Sequence, residues 1–151
     1  VSQEDLPILQ LLIVVLGSAT MPRIVTAARY LLPYALEAFI MSDDEDVNEP
    51  CYDTGNTALM LAAGHCNLDM VEQLLRVEGI EVNAKNNLGR TACHSLMTVS
   101  SYHTSERSLS QMQDIAERLV AAKGDPTIRD IRGKTALYFS QVRSGRTGEA
   151  P

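Results

Sequence analysis

Two Cys–His neighbours, His65-Cys66 and Cys93-His94, are the residues of this chain whose types could support chemistry. As a zinc site they lack the Cys-x2-Cys or His-x3-His spacing of common structural centres. As nucleophile and base, Cys93 and His94 are adjacent, and neighbours on a helix point about 100° apart. The acidic run Asp43-Asp44-Glu45-Asp46 has no ligand spacing and reads as a solvated, self-repelling loop. Glu72 with Glu78 reads as a solvated face. There is no G-x-S-x-G, no phosphate-cradling glycine loop and no H-E-x-x-H. A small enzyme built on Cys93, His94 or the acidic loop would need these groups to converge in one pocket. The expectation is therefore no catalytic residue, no cofactor and no metal. His94 is expected to bond backbone groups, and Cys93 to fill a core position.

Elements must position whatever these residues do, and composition bounds them. The chain has 151 residues, 45% hydrophobic and 21% charged, which suits one domain or one short repeat array. Aromatics make up 5% and Trp is absent, so the core is aliphatic. A net charge of −6 argues against nucleic acid as a partner. Three cysteines (Cys51, Cys66 and Cys93) do not make a disulfide scaffold and suit a reducing intracellular compartment, cytoplasmic or nuclear. The apolar run from Leu6 to Leu16 falls short of the ~20 residues that a bilayer requires. Glu4 and Asp5 stand where a signal peptide carries positive charge. No membrane partner is expected. The first residue is Val1 and not Met, which reads as the start of a fragment. Residues 1–90 hold 13 acidic and 5 basic side chains, and residues 91–151 hold 6 acidic and 8 basic. An elongated array would keep these halves apart in space.

Pro7 after two acids opens a first helix. A second begins near Pro22 and carries Ile24, Val25, Ala28, Leu31 and Leu32, with Pro33 kinking or splitting it before a piece from Tyr34 to Met41. The remainder repeats. Thr57-Ala58-Leu59 recurs as Thr91-Ala92-Cys93 and Thr135-Ala136-Leu137, each threonine two residues after a glycine (Gly55, Gly89 and Gly133). Upstream lie Asp46-Val47-Asn48, Glu81-Val82-Asn83 and Asp125-Pro126-Thr127. Amphipathic helices through Leu68, Val71 and Leu74, and through Met112, Ile115 and Leu119, precede the second and third of these.

This pattern resembles the ankyrin repeat family, whose signature is a period of about 33 residues with a T-P-L-H-x-A element. The unit beginning Gly55-Asn56-Thr57-Ala58-Leu59-Met60-Leu61-Ala62-Ala63 carries the resemblance best. It implies an all-α fold, an ankyrin-type α-solenoid of stacked helix-turn-helix repeats with hairpin-like fingers. The expected organisation is a single ankyrin repeat domain over 1–151. Residues 1–48 form a degenerate N-terminal repeat or helical cap, 49–83 a repeat, 84–127 a repeat with an inserted loop at 98–111, and 128–151 an incomplete C-terminal repeat. The family proline after threonine is alanine in all three units, and its histidine survives only as His94. Cys66 stands where a glycine of positive φ is expected.

The resemblance implies a non-catalytic protein–protein interaction module, monomeric in isolation, that binds a partner through finger tips and the concave inner-helix surface. Carried over unit by unit, the partner-binding positions are Asp53, Thr54, Asn56 and His65; then Asn87, Leu88, Arg90 and Thr98; then Ile131, Arg132, Lys134 and Arg143. They run from acidic or neutral to basic. The alternative is a regulatory or targeting segment of a larger enzyme or membrane protein.

Overall fold

Pro33 divides what would otherwise be one long apolar helix. In the structure, a computed structural model that describes residues 3–17, 21–99 and 106–143, the chain turns at Leu31 and restarts with Pro33 in the first turn of the next helix. Among the described residues there are eight α-helices and no strand: α1 (Leu6–Gly17), α2 (Arg23–Arg29), α3 (Pro33–Ile40), α4 (Ala58–Gly64), α5 (Leu68–Leu75), α6 (Ala92–Val99), α7 (Glu106–Ala121) and α8 (Ala136–Arg143). Helices α2, α4, α6 and α8 pack each on the next as an inner row, and α1, α3, α5 and α7 do so as an outer row. Each of α2, α4 and α6 also packs on the outer helix that follows it. Both rows share one core.

Small side chains let the inner helices approach closely: Ala27, Ala28, Ala58, Ala62, Ala63 and Ala92 are all buried. Leu36, Leu59, Met70, Leu74, Leu96, Ile115 and Leu119 fill the space between the rows. Cys93 is buried with them, as the sequence suggests.

The inner-to-outer turns close by a shared device. After α2, Leu32 N–H donates to Ala27 O (2.9 Å); after α4, Asn67 N–H donates to Ala62 O (3.1 Å). Each closure needs one residue in the left-handed region, usually glycine. Here it is Leu31 at φ 54 and Cys66 at φ 54. The turn stays intact without glycine and is strained for it.

Between repeats, asparagines cross-link the outer side. The Asn48 amide donates to Gly79 O (2.8 Å) and its carbonyl oxygen accepts from Glu81 N–H (2.8 Å). Asn83 repeats the pattern one unit later, on Lys123 O (3.0 Å) and Asp125 N–H (2.7 Å). These are the Val-Asn landmarks of the sequence, and they fix the stacking register.

His94 does the same at the inner row. It is fully buried; Nδ1 accepts from Thr91 N–H (3.1 Å), and Nε2 lies 2.9 Å from Lys134 O in the next repeat. A carbonyl can only accept, so the proton sits on Nε2. Where the histidine is replaced by Met60 or Tyr138, the threonine hydroxyl caps the helix instead, accepting from Met60 N–H (3.4 Å) or Tyr138 N–H (3.2 Å).

Three expectations change. The stretch 98–111 is not simply a loop: residues 98–99 belong to α6 and 106–111 to α7, with 100–105 outside the described residues. The extra length goes largely into α7, which has 16 residues against 8 in α5, because the apolar spacing through Met112 and Ile115 continues upstream to Leu109. The acidic run is not wholly solvated, since Glu45 folds back onto Arg23 (2.5 Å) with its side chain almost buried. Glu72 is not a bare solvated face either. It joins the outer helices, 3.2 Å from Arg118 on α7.

Two outcomes follow from this geometry. Leu31 is exposed. Leu31→Gly should raise stability by about 0.5–1 kcal/mol, a left-handed penalty of ~1–2 kcal/mol less the entropy of a freer unfolded chain, read from the urea midpoint. His94→Ala should cost about 2–4 kcal/mol in thermal unfolding, because it leaves the Thr91 amide and the Lys134 carbonyl unpaired in the core.

Candidate protein-binding surface

Three hairpin fingers project from the edge of the inner row. The second spans Asn86 to Arg90 and the third Asp130 to Lys134, each closed by an amide-to-carbonyl bond of 2.9 Å between its ends. The first runs from Cys51 to Asn56 (2.8 Å) and is one residue longer. Gly55 turns it at φ 73, where a Cβ would lie 2.7 Å from Asn87 Oδ1, so neither the conformation nor the space admits a side chain.

One acceptor organises each finger from its first position. Asn86 Oδ1 accepts from Leu88 N–H (2.9 Å) and Arg90 N–H (3.0 Å), and Asp130 Oδ1 accepts from Arg132 N–H and Lys134 N–H (both 2.9 Å). Burial pushes the Asp130 carboxyl up. The Lys134 amide, the Arg90 guanidinium and the Arg132 amide outweigh this and hold it below the usual aspartate range. In the first finger the corresponding residue is Cys51. Burial raises its thiol too, and hydrogen bonds from the Asp53 and Thr54 amides and the Thr54 hydroxyl bring it below the ordinary thiol value.

Adjacent fingers are tied through their backbones. Asn87 N–H donates to Thr54 O (3.0 Å), and Ile131 N–H donates to Leu88 O (2.9 Å). Side chains add to this: Asn86 Nδ2 donates to Asn56 Oδ1 (2.8 Å) and Asn87 Nδ2 to Asp53 O (2.9 Å). Several sequence-derived positions are therefore occupied within the array. Asn56 and Asn87 hold neighbouring fingers, and Arg90 pairs with Asp130 (3.2 Å) while lying 4.9 Å over the Phe139 ring. Thr98 bonds back to Ser95 O (3.3 Å) on α6. Lys134 Nζ lies 4.2 Å over the Tyr138 ring.

Others face solvent. Asp53, Thr54, Leu88, Ile131 and Arg132 are exposed along the tips, and His65 is exposed at the end of α4. Arg143 ends α8, and its side chain lies outside the described residues. Thr54, Asn56 and His65 share a hollow of about 370 Å³ with Arg29 at the end of α2 and Tyr30, the residue that follows it. A second hollow of about 360 Å³ brings Lys134 together with Arg129 and Tyr138. Arg29, Tyr30, Arg129 and the exposed Tyr52 did not emerge from the sequence. The repeat pattern fades before Asp46, so α2 offered no aligned landmark, although an exposed tyrosine beside a turn is itself a signal.

Helix pairs stacked side by side with a row of tied fingers make a repeat solenoid, an architecture whose extended surfaces repeat proteins use for binding. The family model of ankyrin repeats, in three copies, matches residues 2–104. The chain belongs to the ankyrin repeat family. It is similar to a crystal structure of an ankyrin repeat domain from Acinetobacter baumannii AYE, at 27% identity and TM-score 0.69, covering 82% of this chain and 59% of that one. EF0377, an ankyrin repeat protein, is similar at 24% identity and TM-score 0.67, covering 82% of this chain and 58% of that one. The ankyrin repeat domain of Bcl-3, a member of the IκB protein family, matches at 20% identity and TM-score 0.61, covering 78% of this chain and 46% of that one. This chain thus spans less than two-thirds of each of those three. Ankyrin repeats generally act as protein–protein interaction modules. No helix among the described residues is long and apolar enough to cross a membrane.

The carboxylate of Asp130 carries a testable dependence on pH. An aspartate held below its unfolded value of about 3.9 adds stability above that pH and loses it as pH falls through the folded value. Asp130→Asn should destabilise by about 1–2 kcal/mol at neutral pH, the finger amides keeping an acceptor as they do at Asn86. The variant should lose less than the parent between pH 5 and strong acid in a pH series of thermal melts.

Proposed function

We propose that this chain is a non-catalytic binding module that holds a protein partner along its finger tips and the concave face beside them. The contact residues are Asp53, Thr54, His65, Leu88, Ile131, Arg132 and Lys134, with Arg143 at the basic end. Asn56, Asn87, Arg90 and Thr98 act from behind by holding the fingers and α6 in place. The observation that supports this reading is the backbone tie between successive fingers, which presents three exposed tips as one pre-organised edge. The partner carries a gradient of charge, basic opposite Asp53 and acidic opposite Arg132 and Lys134, and meets the module inside the cell.

Binding should weaken as salt is added, because exposed charges at the rim are screened within about 8–10 Å at physiological ionic strength. Arg132→Glu with Lys134→Glu should weaken it further, roughly tenfold or more. The melting temperature should shift by no more than a few degrees, because both backbone amides and the Lys134 carbonyl remain in place. Partners captured by the parent and lost with this pair of substitutions identify the surface. Capture unaffected by salt and by the double variant would refute the charge gradient.

A further inference from the structure

The connections that lead into the inner helices are unequal. Residues 41–57, 76–91 and 122–135 lead into α4, α6 and α8, and each of these stretches holds a finger. Only residues 18–22 join α1 to α2. Five residues reach at most about 18 Å fully extended, and half that out and back. The last of them, Pro22, already accepts from Thr26 N–H (3.0 Å) at the start of α2. That connection is too short to carry a finger between two packed helices.

The first finger therefore lacks a neighbour on one flank. The second and third each donate an amide to the finger before, Asn87 N–H to Thr54 O and Ile131 N–H to Leu88 O. Tyr52 holds the same place in the first finger, second from its closing bond, and among the described residues its amide meets no acceptor.

The hollow of about 370 Å³ lies on this side, where the finger looks toward α2. Val25 and Leu61 give it an apolar wall, and Arg29, His65 and Thr54 a polar one. Its charge is unmatched. Arg23 pairs with Glu45, Arg76 and Arg118 with Glu72, and Arg90 with Asp130. Arg29 is exposed, and among the described residues its guanidinium meets only the Met21 sulfur (3.5 Å).

We propose that an extended segment of the partner lies along the first finger, in the place a preceding finger would take, with an acidic side chain in the hollow on Arg29. This rests on the reading of the chain as a protein-binding module and specifies what the first finger takes. A carbonyl of the segment accepts from Tyr52 N–H, as Thr54 O accepts from Asn87, so backbone pairing gives affinity and the hollow gives selectivity. Guanidinium and carboxylate match as a fork of two parallel hydrogen bonds, while the stem of a glutamate covers Val25 and Leu61. Side chains alternate along an extended chain. The residue next to the acid therefore points away from the hollow, and a basic residue there suits Asp53 on the tip. The segment is one in which acidic and basic residues alternate.

An NMR titration of the 151-residue chain at low salt tests this, with a short blocked peptide of alternating glutamate and lysine as the probe. The peptide should shift the Tyr52 amide saturably. The same peptide with glutamine for glutamate should bind roughly tenfold more weakly. Arg29→Gln should bring the two peptides to equal affinity, and circular dichroism checks that this variant folds. Three results would each overturn the proposal: no saturable shift at Tyr52, equal affinity of the parent for both peptides, or a glutamate preference that survives Arg29→Gln. A Tyr52 shift that grows with the concentration of the chain alone would put a second copy on this flank and overturn it too. In each of these cases, a captured partner that is lost with Arg132→Glu and Lys134→Glu would leave the wider binding reading standing.

Discussion

Each helix pair in this chain is apolar on both flanks, and only a neighbouring pair can cover them. That constraint explains the two rows, the alanine-rich inner helices and why no pair folds alone. Apolar contact is non-directional, however, and would allow one pair to slide along the next. The polar cross-links supply direction. Asn48, Asn83 and His94 each reach from one repeat into backbone groups of the following one, and each leaves those groups unpaired if the pairs shift. The core drives the stacking, and three side chains set its register.

The row of finger tips is a by-product of the same bonding. Fingers tied amide to carbonyl hold one another, so the tips stand in a row. The side chains nearest those ties are taken up by them, which is why Asn56 and Asn87 face neighbouring fingers. Leu88 and Ile131 are tied to each other through their backbones, yet their side chains, like that of Arg132, are exposed to solvent. A solenoid thus separates structural and solvent-facing side chains along a single hairpin by a residue or two.

That fine separation limited what the sequence could reveal. Thr57, Thr91 and Thr135 placed α4, α6 and α8 because a threonine after a turn glycine has one good use, at a helix start. The asparagines of the Val-Asn landmarks were legible as recurrences, but their partners lie more than thirty residues away and periodicity carries no information about them. Finger positions were legible only as a set. Whether Arg90 meets solvent or Asp130 depends on a side chain forty residues on, and the ring of Phe139 beneath it was equally hidden. The length of α7 escaped for another reason: its first turns are polar and rich in Ser, and a short-range reading favours a loop there.

Cys51 separates the first finger from the other two. Where they have an oxygen acceptor at the base, it has sulfur, a weaker one, within a loop longer by one residue. The first finger is therefore held less by its base than by its neighbour, whose Asn87 bonds both Thr54 O and Asp53 O. Its amides at Asp53 and Thr54 would exchange with solvent deuterium ahead of those at Leu88 or Arg132, because they lean on a thiol where the others lean on an oxygen.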